Sequence, residues 1–320
     1  MPPALRGGLD EALQGVSRKD LAVRARRISE AYRAGGTSAG VIRGAEDALA
    51  YALVRLPATY AACAAVFAEA RRMAPGFSPR RLLDAGAGPG AASWAATQAW
   101  EGLEAVTWLD ASAPFLGLAG RLGQVGPAPL RHPDLLIADL ASGQPWPAAD
   151  LVAVSYALAE LDAARLGPVV RSLWAACEGV LALVEPGTPA GFRRILAARE
   201  ALIAEGAELL APCPHAQACP LTDPDWCHFA VRLPRSRDHR LVKGAEVPFE
   251  DEKFAYLVAA RPGIASASRS PRVLAPPRAG KAATVFKLCG PRGLEARTVA
   301  RRDKAAYASA RRLGWGDPFA

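Results

Sequence analysis

Four of the six cysteines of this 320-residue chain lie in its last third, close to two histidines. The four are Cys213, Cys219, Cys227 and Cys289, with the spacing Cys-x5-Cys-x7-Cys-x61-Cys. Thiolates are soft ligands that select zinc or an iron–sulfur cluster, and disulfides are rare in a reducing compartment. The group therefore indicates a metal site, although some of these cysteines could also be ordinary buried thiols.

Two kinds of metal site are compatible with this spacing. Structural zinc usually uses a short Cys-x2-4-Cys pair, which is missing among these four cysteines. Wider spacing with the elements Cys213-Pro214 and Cys219-Pro220 is typical of an iron–sulfur cluster, whose bulk separates its ligands. We therefore predict a 4Fe-4S cluster, with zinc as the alternative. His215 and His228 are expected to support the ligands, although either could replace one cysteine.

A glycine-rich segment, Asp84-Ala85-Gly86-Ala87-Gly88-Pro89-Gly90, follows a short apolar run and precedes a helix-like stretch. Glycines at these positions let the backbone turn sharply and approach a ligand closely. The spacing differs from the Gly-x-Gly-x-x-Gly fingerprint of dinucleotide sites. It resembles motif I of the S-adenosylmethionine-dependent methyltransferases. This resemblance implies that Asp84, Gly86, Gly88 and Gly90 shape the pocket for the amino-acid part of that cofactor.

Two further acidic residues end apolar runs in the same part of the chain. Asp110 follows the second run and is placed to accept hydrogen bonds from both ribose hydroxyls. Asp139 ends the third run and is expected near the adenine ring, where it could accept from the exocyclic amine. A tight strand-to-helix turn without any ligand is the alternative for the glycines. Three acidic strand ends at one edge of a sheet favour a nucleotide pocket.

The methyl-acceptor side is less well defined. After the fourth apolar run the chain continues as Ser155-Tyr156-Ala157-Leu158-Ala159-Glu160-Leu161. The Asn/Asp-Pro-Pro-Tyr/Phe signature of many amino-group methyltransferases is missing from this segment, and no cysteine pair typical of the base-carbon enzymes is visible. Tyr156 and Glu160 could line the acceptor side or make core contacts. The sequence therefore assigns no catalytic residue and leaves open whether the protein is an enzyme.

Five short apolar runs between Arg81 and Glu185 alternate with stretches of helical composition. This alternation predicts an α/β fold with a parallel sheet covered by helices. We expect an N-terminal helical region over residues 1–78, a Rossmann-like S-adenosylmethionine-binding domain over 79–210 and a cysteine-rich, basic extension over 211–320. The segment 264–280, rich in Ser, Pro and Arg, is expected to be an exposed loop or linker.

The net charge of +8 is distributed unevenly along the chain. Up to Ala230 there are 20 Lys and Arg against 23 Asp and Glu, and after it 19 against 8. An excess of dispersed basic residues predicts an anionic partner such as nucleic acid. A solvated basic surface without a partner is the alternative. Two basic stretches, 232–243 and 292–312, follow the third and fourth cysteines and are expected to fold against one another.

The longest apolar stretches are too short to cross a bilayer, and residues 1–15 lack the apolar run of a secretory signal. From these features we expect a cytoplasmic location and no membrane partner.

Several motifs together resemble the ribosomal small-subunit methyltransferase-like family of bacteria and mitochondria. They are Arg55-Leu56-Pro57-Ala58-Thr59-Tyr60, the glycine-rich segment, Val184-Glu185-Pro186-Gly187-Thr188-Pro189, Cys213-Pro214-His215, Trp226-Cys227-His228-Phe229 and Trp315-Gly316-Asp317. The resemblance implies an S-adenosylmethionine pocket, an iron–sulfur site at the four cysteines, and binding to small-subunit rRNA or assembly intermediates. Two roles follow from it, rRNA methylation or a non-catalytic part in assembly. A small-molecule methyltransferase with structural zinc is the alternative.

Overall fold

The computed structural model describes residues 1–265 and 269–319. The helices are α1 (Pro3–Ala12), α2 (Arg18–Arg33), α3 (Ser38–Val41), α4 (Ala45–Met73), α5 (Ala91–Ala99), α6 (Ala113–Gly123), α7 (Ala128–Arg131), α8 (Ala163–Ala176), α9 (Pro189–Ala204), α10 (Arg237–Lys243) and α11 (Lys304–Ala310). The strands are β1 (Arg81–Ala85), β2 (Ala105–Asp110), β3 (Asp134–Ile137), β4 (Ala149–Ser155), β5 (Cys177–Pro186), β6 (Glu208–Ala211), β7 (Phe229–Pro234), β8 (Phe249–Ala260), β9 (Arg272–Val273), β10 (Arg278–Ala279), β11 (Ala283–Gly290) and β12 (Gly293–Ala300).

The larger sheet has the strand order β3-β2-β1-β4-β5-β8-β6, and β7 also pairs with β8. Strands β1 to β5 are parallel, whereas β8 runs antiparallel to β5, β6 and β7. The strand order reverses between β1 and β4, which opens a crevice at the carboxyl ends of these strands. The predicted Rossmann-like α/β fold with an N-terminal helical region is therefore confirmed.

Strand β8 contributes side chains to the hydrophobic core on both faces of the large sheet. Its alternate residues point to opposite sides, as the period-2 geometry of a strand requires. Leu257 packs with the residues of α8 and α9, whereas Val258 packs with those of α4. Strands β7 and β8 lie beyond residue 211, in the segment that the sequence assigned to the C-terminal extension. The large sheet is thus completed by strands from that segment.

Helix α4 runs unbroken for 29 residues although Pro57 lies inside it. By length and composition it could cross a membrane, because its most apolar 18-residue window has a mean hydropathy of 1.4. However, 61% of that window is buried inside the protein, and the core helix of a soluble protein passes the same test. Residues of α4 pack with those of α2, α5 and α6 in one hydrophobic cluster.

The second sheet is built around β11, which pairs antiparallel with β9, β10 and β12. The predicted loop at 264–280 includes residues 266–268, which lie outside the described residues. Further along, Arg272 and Val273 form β9 and are buried, so the expectation of an exposed segment is wrong there. The physical reason is that Val273 packs against Phe286 in a small core, while Arg272 Nη1 lies 2.7 Å from Glu69 Oε2 of α4.

Candidate functional site

A cavity of about 360 Å³ opens at the carboxyl ends of β1, β2 and β4. Its volume lies within the usual range for small-molecule and cofactor sites. Four of the residues expected to bind the cofactor line it, namely Gly86, Gly88, Asp110 and Asp139. Tertiary structure thus brings together side chains from three separate strand ends.

Gly86 begins the turn that follows β1 and has a φ of +74°. A Cβ at this position would lie 2.4 Å from the Cβ of Ala157, in the turn after β4. Real Cβ atoms do not approach other atoms so closely, and L side chains rarely adopt this φ. Glycine is therefore required here to keep the two turns together at the base of the cavity.

Asp110 is 6% exposed and accepts two backbone hydrogen bonds. The Gly88 N–H donates to Oδ2 at 2.8 Å and the Ser112 N–H donates to Oδ1 at 2.7 Å. Burial raises the pKa of this carboxyl, while the two hydrogen bonds oppose the rise. Since each carboxylate oxygen accepts more than one hydrogen bond, Asp110 can also receive hydroxyls of a ligand.

Asp139 is exposed at the other wall of the cavity. Its Oδ1 accepts from the Ala141 N–H at 2.8 Å, which caps the short 3-10 turn Leu140–Ser142. This bond holds the carboxylate at the rim of the cavity with its other oxygen free of hydrogen bonds within the described chain. Asp139 can therefore accept from an amine donor on a ligand.

Asp84 and Gly90 are not among the residues that line the cavity. Asp84 is fully buried beneath the glycine turn, where its Oδ2 accepts from the Ser93 N–H at 3.0 Å and the Ser93 hydroxyl at 2.7 Å. The Ser93 Oγ in turn accepts from Trp108 Nε1 at 2.8 Å. This series of hydrogen bonds joins the end of β1 to the start of α5 and so stabilises the glycine turn that lies above it.

Asp84 should make the stability of the protein pH-dependent. Burial raises its pKa from 3.8 to about 6, although the hydrogen bonds from Ser93 lower it. The folded state therefore holds this proton more tightly than the unfolded state, so the contribution of Asp84 to the free energy of unfolding falls as the pH rises from 3.8 to about 6. This decrease in the free energy of unfolding should be at most about 3 kcal/mol.

We expect Asp84→Asn to lose this part of the pH dependence, measured by urea denaturation at several pH values between 4 and 7. The exposed Asp134→Asn serves as the control and should keep the wild-type profile. Identical pH profiles for Asp84→Asn and the wild type would contradict this role of the buried carboxyl.

The N-terminal helical region also reaches the cavity, through Thr37 and Ser38 at the start of α3. The Ser38 N–H donates to Glu160 Oε2 at 2.7 Å, and the Ser38 hydroxyl donates to Oε1. Burial raises the pKa of Glu160, while the bonds from Ser38 oppose the rise. The sequence singled out Glu160 but gave no signal for Thr37 or Ser38, because they approach the cavity only through tertiary folding.

Tyr156 lines the cavity with a φ of +60°, the only non-glycine residue with positive φ in the described ranges. Its hydroxyl donates to Glu252 Oε1 at 2.7 Å, and Arg55 Nη2 lies 2.9 Å from the same oxygen. Burial raises the pKa of this hydroxyl well above its ordinary value. The phenol is therefore held by a buried ion pair and is poorly suited to act as an acid or base.

A second, apolar cavity is lined by all four cysteines of the sequence motif. It lies between α9, β8 and β11, so the second sheet contributes Cys289 while the loop before β7 contributes the other three. In the described part of the chain, no three His, Cys, Asp or Glu side chains are grouped closely enough to hold a single metal ion. The four cysteines thus share one cavity, but the described residues form no metal-binding group there.

The chemistry of these thiols depends on their burial. Burial raises the pKa of Cys227 well above its ordinary value and that of Cys289 to about 12. Burial also raises the pKa of Cys213, although the Arg199 guanidinium opposes the rise. Without a metal these thiols are protonated at neutral pH, and metal binding would release their protons.

The two histidines near the cysteines occupy different environments. His215 is 8% exposed, and its Nε2 lies 3.7 Å from Cys289 Sγ. His228 stacks on Trp226 with ring centroids 4.9 Å apart and meets Trp315 edge-on at 4.7 Å. His215 therefore contacts one of the four cysteines directly, whereas His228 packs between aromatic rings.

The two basic stretches differ in how their charges are paired. In the first, Arg232 pairs with Asp251 at 2.7 Å, and Glu250 pairs with Arg235 at 3.2 Å and Lys243 at 2.6 Å. Strand β8 therefore neutralises much of this stretch, which the sequence could not reveal. Around the second sheet, nine basic residues between 278 and 312 are exposed. They are Arg278, Lys281, Arg292, Arg297, Arg301, Arg302, Lys304, Arg311 and Arg312.

Within residues 1–265 and 269–319, only Arg297 of this set forms an ion pair, with Glu295 at 3.1 Å. We call these nine residues the basic surface. Because its charges are exposed and mostly unpaired, it is the part of the C-terminal region suited to bind a polyanion.

Comparison with solved structures gives weak likenesses. Magnesium protoporphyrin IX methyltransferase from Synechocystis PCC 6803 with bound SAM has a TM-score of 0.42 and 16% identity, covering 68% of this chain and 84% of that chain. Precorrin-6y C5,15-methyltransferase from Geobacter metallireducens GS-15 has a TM-score of 0.39 and 16% identity, covering 62% of this chain and 86% of that chain.

Sequence comparisons are more informative. The human protein named Ribosome assembly protein METTL17, mitochondrial, is 31% identical over an alignment of 286 residues that covers 84% of this chain and 61% of that protein. This chain thus spans less than two thirds of the length of that relative. The family model described as Mitochondrial small ribosomal subunit Rsm22 matches residues 45–320, which include the glycine turn, the four cysteines and the basic surface. With most of its length matched, the chain belongs to this family.

Proposed function

We propose that this protein acts in assembly of the small ribosomal subunit, as a methyltransferase-like protein that binds S-adenosylmethionine and a 4Fe-4S cluster. The observation that carries the proposal is the family match over residues 45–320. The name of the human relative, a ribosome assembly protein, supports the same role. As part of this proposal we place the protein in the cytoplasm, where thiols stay reduced.

The first cavity supports the cofactor. Asp110 and Asp139 offer carboxylate oxygens for the ribose hydroxyls and the adenine amine, and the glycine turn allows close approach of the amino-acid part. Methyl transfer is less well supported, because the acceptor-side Tyr156 is held by Glu252 and the Asn/Asp-Pro-Pro-Tyr/Phe signature is missing. Assembly through binding is therefore the function proposed.

At the second cavity, the wide spacing of the cysteines in the sequence favours an iron–sulfur cluster over zinc. Tetrahedral zinc holds four sulfurs close around one ion, whereas a 4Fe-4S cluster spreads its ligands around a larger core. All four cysteines line one cavity, although no group of three His, Cys, Asp or Glu side chains among the described residues is arranged to hold a metal ion. Cys213, Cys219, Cys227 and Cys289 would hold the cluster, which would join the loop before β7 to the second sheet.

RNA binding by the basic surface tests the proposed role. The double variant Arg301→Gln with Arg302→Gln should bind small-subunit rRNA more weakly, because two phosphate contacts are lost. The slope of log affinity against log salt should decrease in magnitude by roughly 0.7 to 0.9 per contact. Filter binding with a transcript of immature small-subunit rRNA at several salt concentrations measures both quantities.

The control replaces two exposed arginines on α8 and α9, Arg171→Gln with Arg193→Gln, and makes the same change in net charge. This control should bind RNA much as the wild type does. Equal losses of affinity in both double variants would mean that only net charge matters, and an unchanged Arg301 and Arg302 variant would refute the basic surface as the RNA contact.

A further inference from the structure

Arg199 of α9 is a buried arginine at the wall of the four-cysteine cavity. It is 3% exposed and lines the cavity beside Cys213, Cys219, Cys227 and Cys289. Its Nη2 donates to the carbonyl oxygens of His215 at 2.9 Å and Gln217 at 2.6 Å. Both carbonyls belong to the loop between Cys213 and Cys219, so Arg199 fixes the path of that loop.

The charge of Arg199 has no carboxylate to balance it within the described residues. Arg272 is also only 3% exposed, but its Nη1 lies 2.7 Å from Glu69 Oε2. Arg199 forms no such ion pair among the described side chains, and its buried Nε has no hydrogen-bond partner there. A guanidinium cannot lose its proton, and an uncompensated buried charge costs several kcal/mol.

The proposed cluster would supply this missing negative charge in the same cavity. A 4Fe-4S core bound by four thiolates carries a net negative charge, which increases when the cluster is reduced. Hydrogen bonds and charges around a cluster set its reduction potential and its retention. A fixed positive charge beside the sulfurs would therefore stabilise the bound cluster, and would stabilise its reduced form most.

We propose that Arg199 is a positioning residue for the cluster, supplying the buried counter-charge to the four thiolates while its hydrogen bonds hold the Cys213–Cys219 loop in place. The inference rests on the proposed cluster. It adds a residue outside the cysteine motif that sets the cluster's charge balance. Loss of this charge should make the cluster harder to reduce and easier to extract.

Two variants separate charge from hydrogen bonding. Arg199→Gln removes the charge and keeps an amide donor for the loop carbonyls, whereas Arg199→Lys keeps a charge. The control is Arg193→Gln, on the same helix but exposed. After anaerobic reconstitution of the full chain, the measurements are iron and sulfide content, the rate of iron loss to a chelator, and the midpoint potential from a redox titration followed in the visible spectrum.

We expect Arg199→Gln to shift the potential to a more negative value and to lose iron roughly 10- to 100-fold faster than the wild type. Arg199→Lys should keep a potential near that of the wild type, and Arg193→Gln should match the wild type in both measurements. Circular dichroism of each protein checks that the helices are intact.

The outcomes distinguish the inference from the function on which it rests. A wild type that takes up no iron and sulfide would refute the cluster and the inference with it. An iron-loaded wild type whose potential is unchanged in Arg199→Gln would overturn the inference alone. If Arg199→Gln does not fold, an Arg199→Lys variant that folds and retains iron supports the need for a positive charge at this position. Failure of both variants to fold overturns the inference that Arg199 acts as the counter-charge of the cluster.

Discussion

Replacing Cys219 with serine is expected to release the metal and weaken binding to small-subunit rRNA, while S-adenosylmethionine binding stays nearly unchanged. Cys219 lines the cavity with Cys289 of β11, the central strand of the second sheet. A cluster would tie that sheet, which carries the basic surface, to the loop before β7. Losing one ligand should release this tie, because a cluster with an incomplete ligand set is readily lost.

Cofactor binding should survive because the two cavities are separate. The described residues that line one cavity include none that line the other. Isothermal titration with S-adenosylmethionine, filter binding of RNA and iron analysis with the absorbance near 400 nm measure the three properties. The absorbance should disappear in Cys219→Ser.

The matched control is Cys177→Ser, which changes a buried thiol at the start of β5 that lines neither cavity. It should keep iron and RNA binding. If Cys219→Ser loses its iron and still retains RNA as the wild type does, the proposed link between the cluster and the basic surface is wrong. A colourless, zinc-loaded wild type would instead favour the structural zinc site.

Replacing Gly86 with alanine should abolish most of the affinity for S-adenosylmethionine. In Gly86→Ala the new Cβ would meet the Cβ of Ala157 at 2.4 Å, and the backbone would keep an unfavourable φ of +74°. Relief requires the turn after β4 to move, and this turn carries Tyr156 at the wall of the cavity. The strain of a non-glycine residue here is worth about 1–3 kcal/mol, so we expect affinity for S-adenosylmethionine to fall roughly 10- to 100-fold.

Gly143 provides a close control, because it has the same φ of +74° but no atom within 4 Å of a Cβ placed there. Gly143→Ala should lower thermal stability slightly through backbone strain and leave cofactor affinity unchanged. Equal losses of affinity in the two variants, measured by isothermal titration, would show that the contact with Ala157 is not the cause.

Much of the fold follows from local sequence patterns. Parallel strands buried on both faces appear as short apolar runs, and all five runs between Arg81 and Glu185 are strands of the large sheet. Beyond residue 211, the segments Phe229–Pro234 and Phe249–Ala260 form β7 and β8. Their place in the large sheet was not predictable, because the order of antiparallel strands depends on contacts between residues far apart in the chain.

The lining of the first cavity was predicted unevenly for a similar reason. The strand ends Asp110 and Asp139 and the glycine turn lie at the cavity, since the carboxyl ends of parallel strands converge at one edge. Asp84 lies in the same motif, but its side chain is directed toward Ser93 of α5. The position of a residue along a strand decides which face of the sheet its side chain points to. A motif does not specify which residues cover that face.

The amino-acid sequence by itself determined the strand and helix segments, the glycine turn, the two acidic strand ends and the set of four cysteines. Only the tertiary structure decided that Ser38 bonds to Glu160, that β8 neutralises the first basic stretch, and that Arg199 lies beside the thiols with no carboxylate partner in the described part of the chain. Turns and strands depend on neighbouring residues, which a sequence displays directly. Ion pairing and burial depend on residues that are distant in the sequence and come into contact in the folded protein. Which charges are paired and which side chains are buried is therefore decided only by folding.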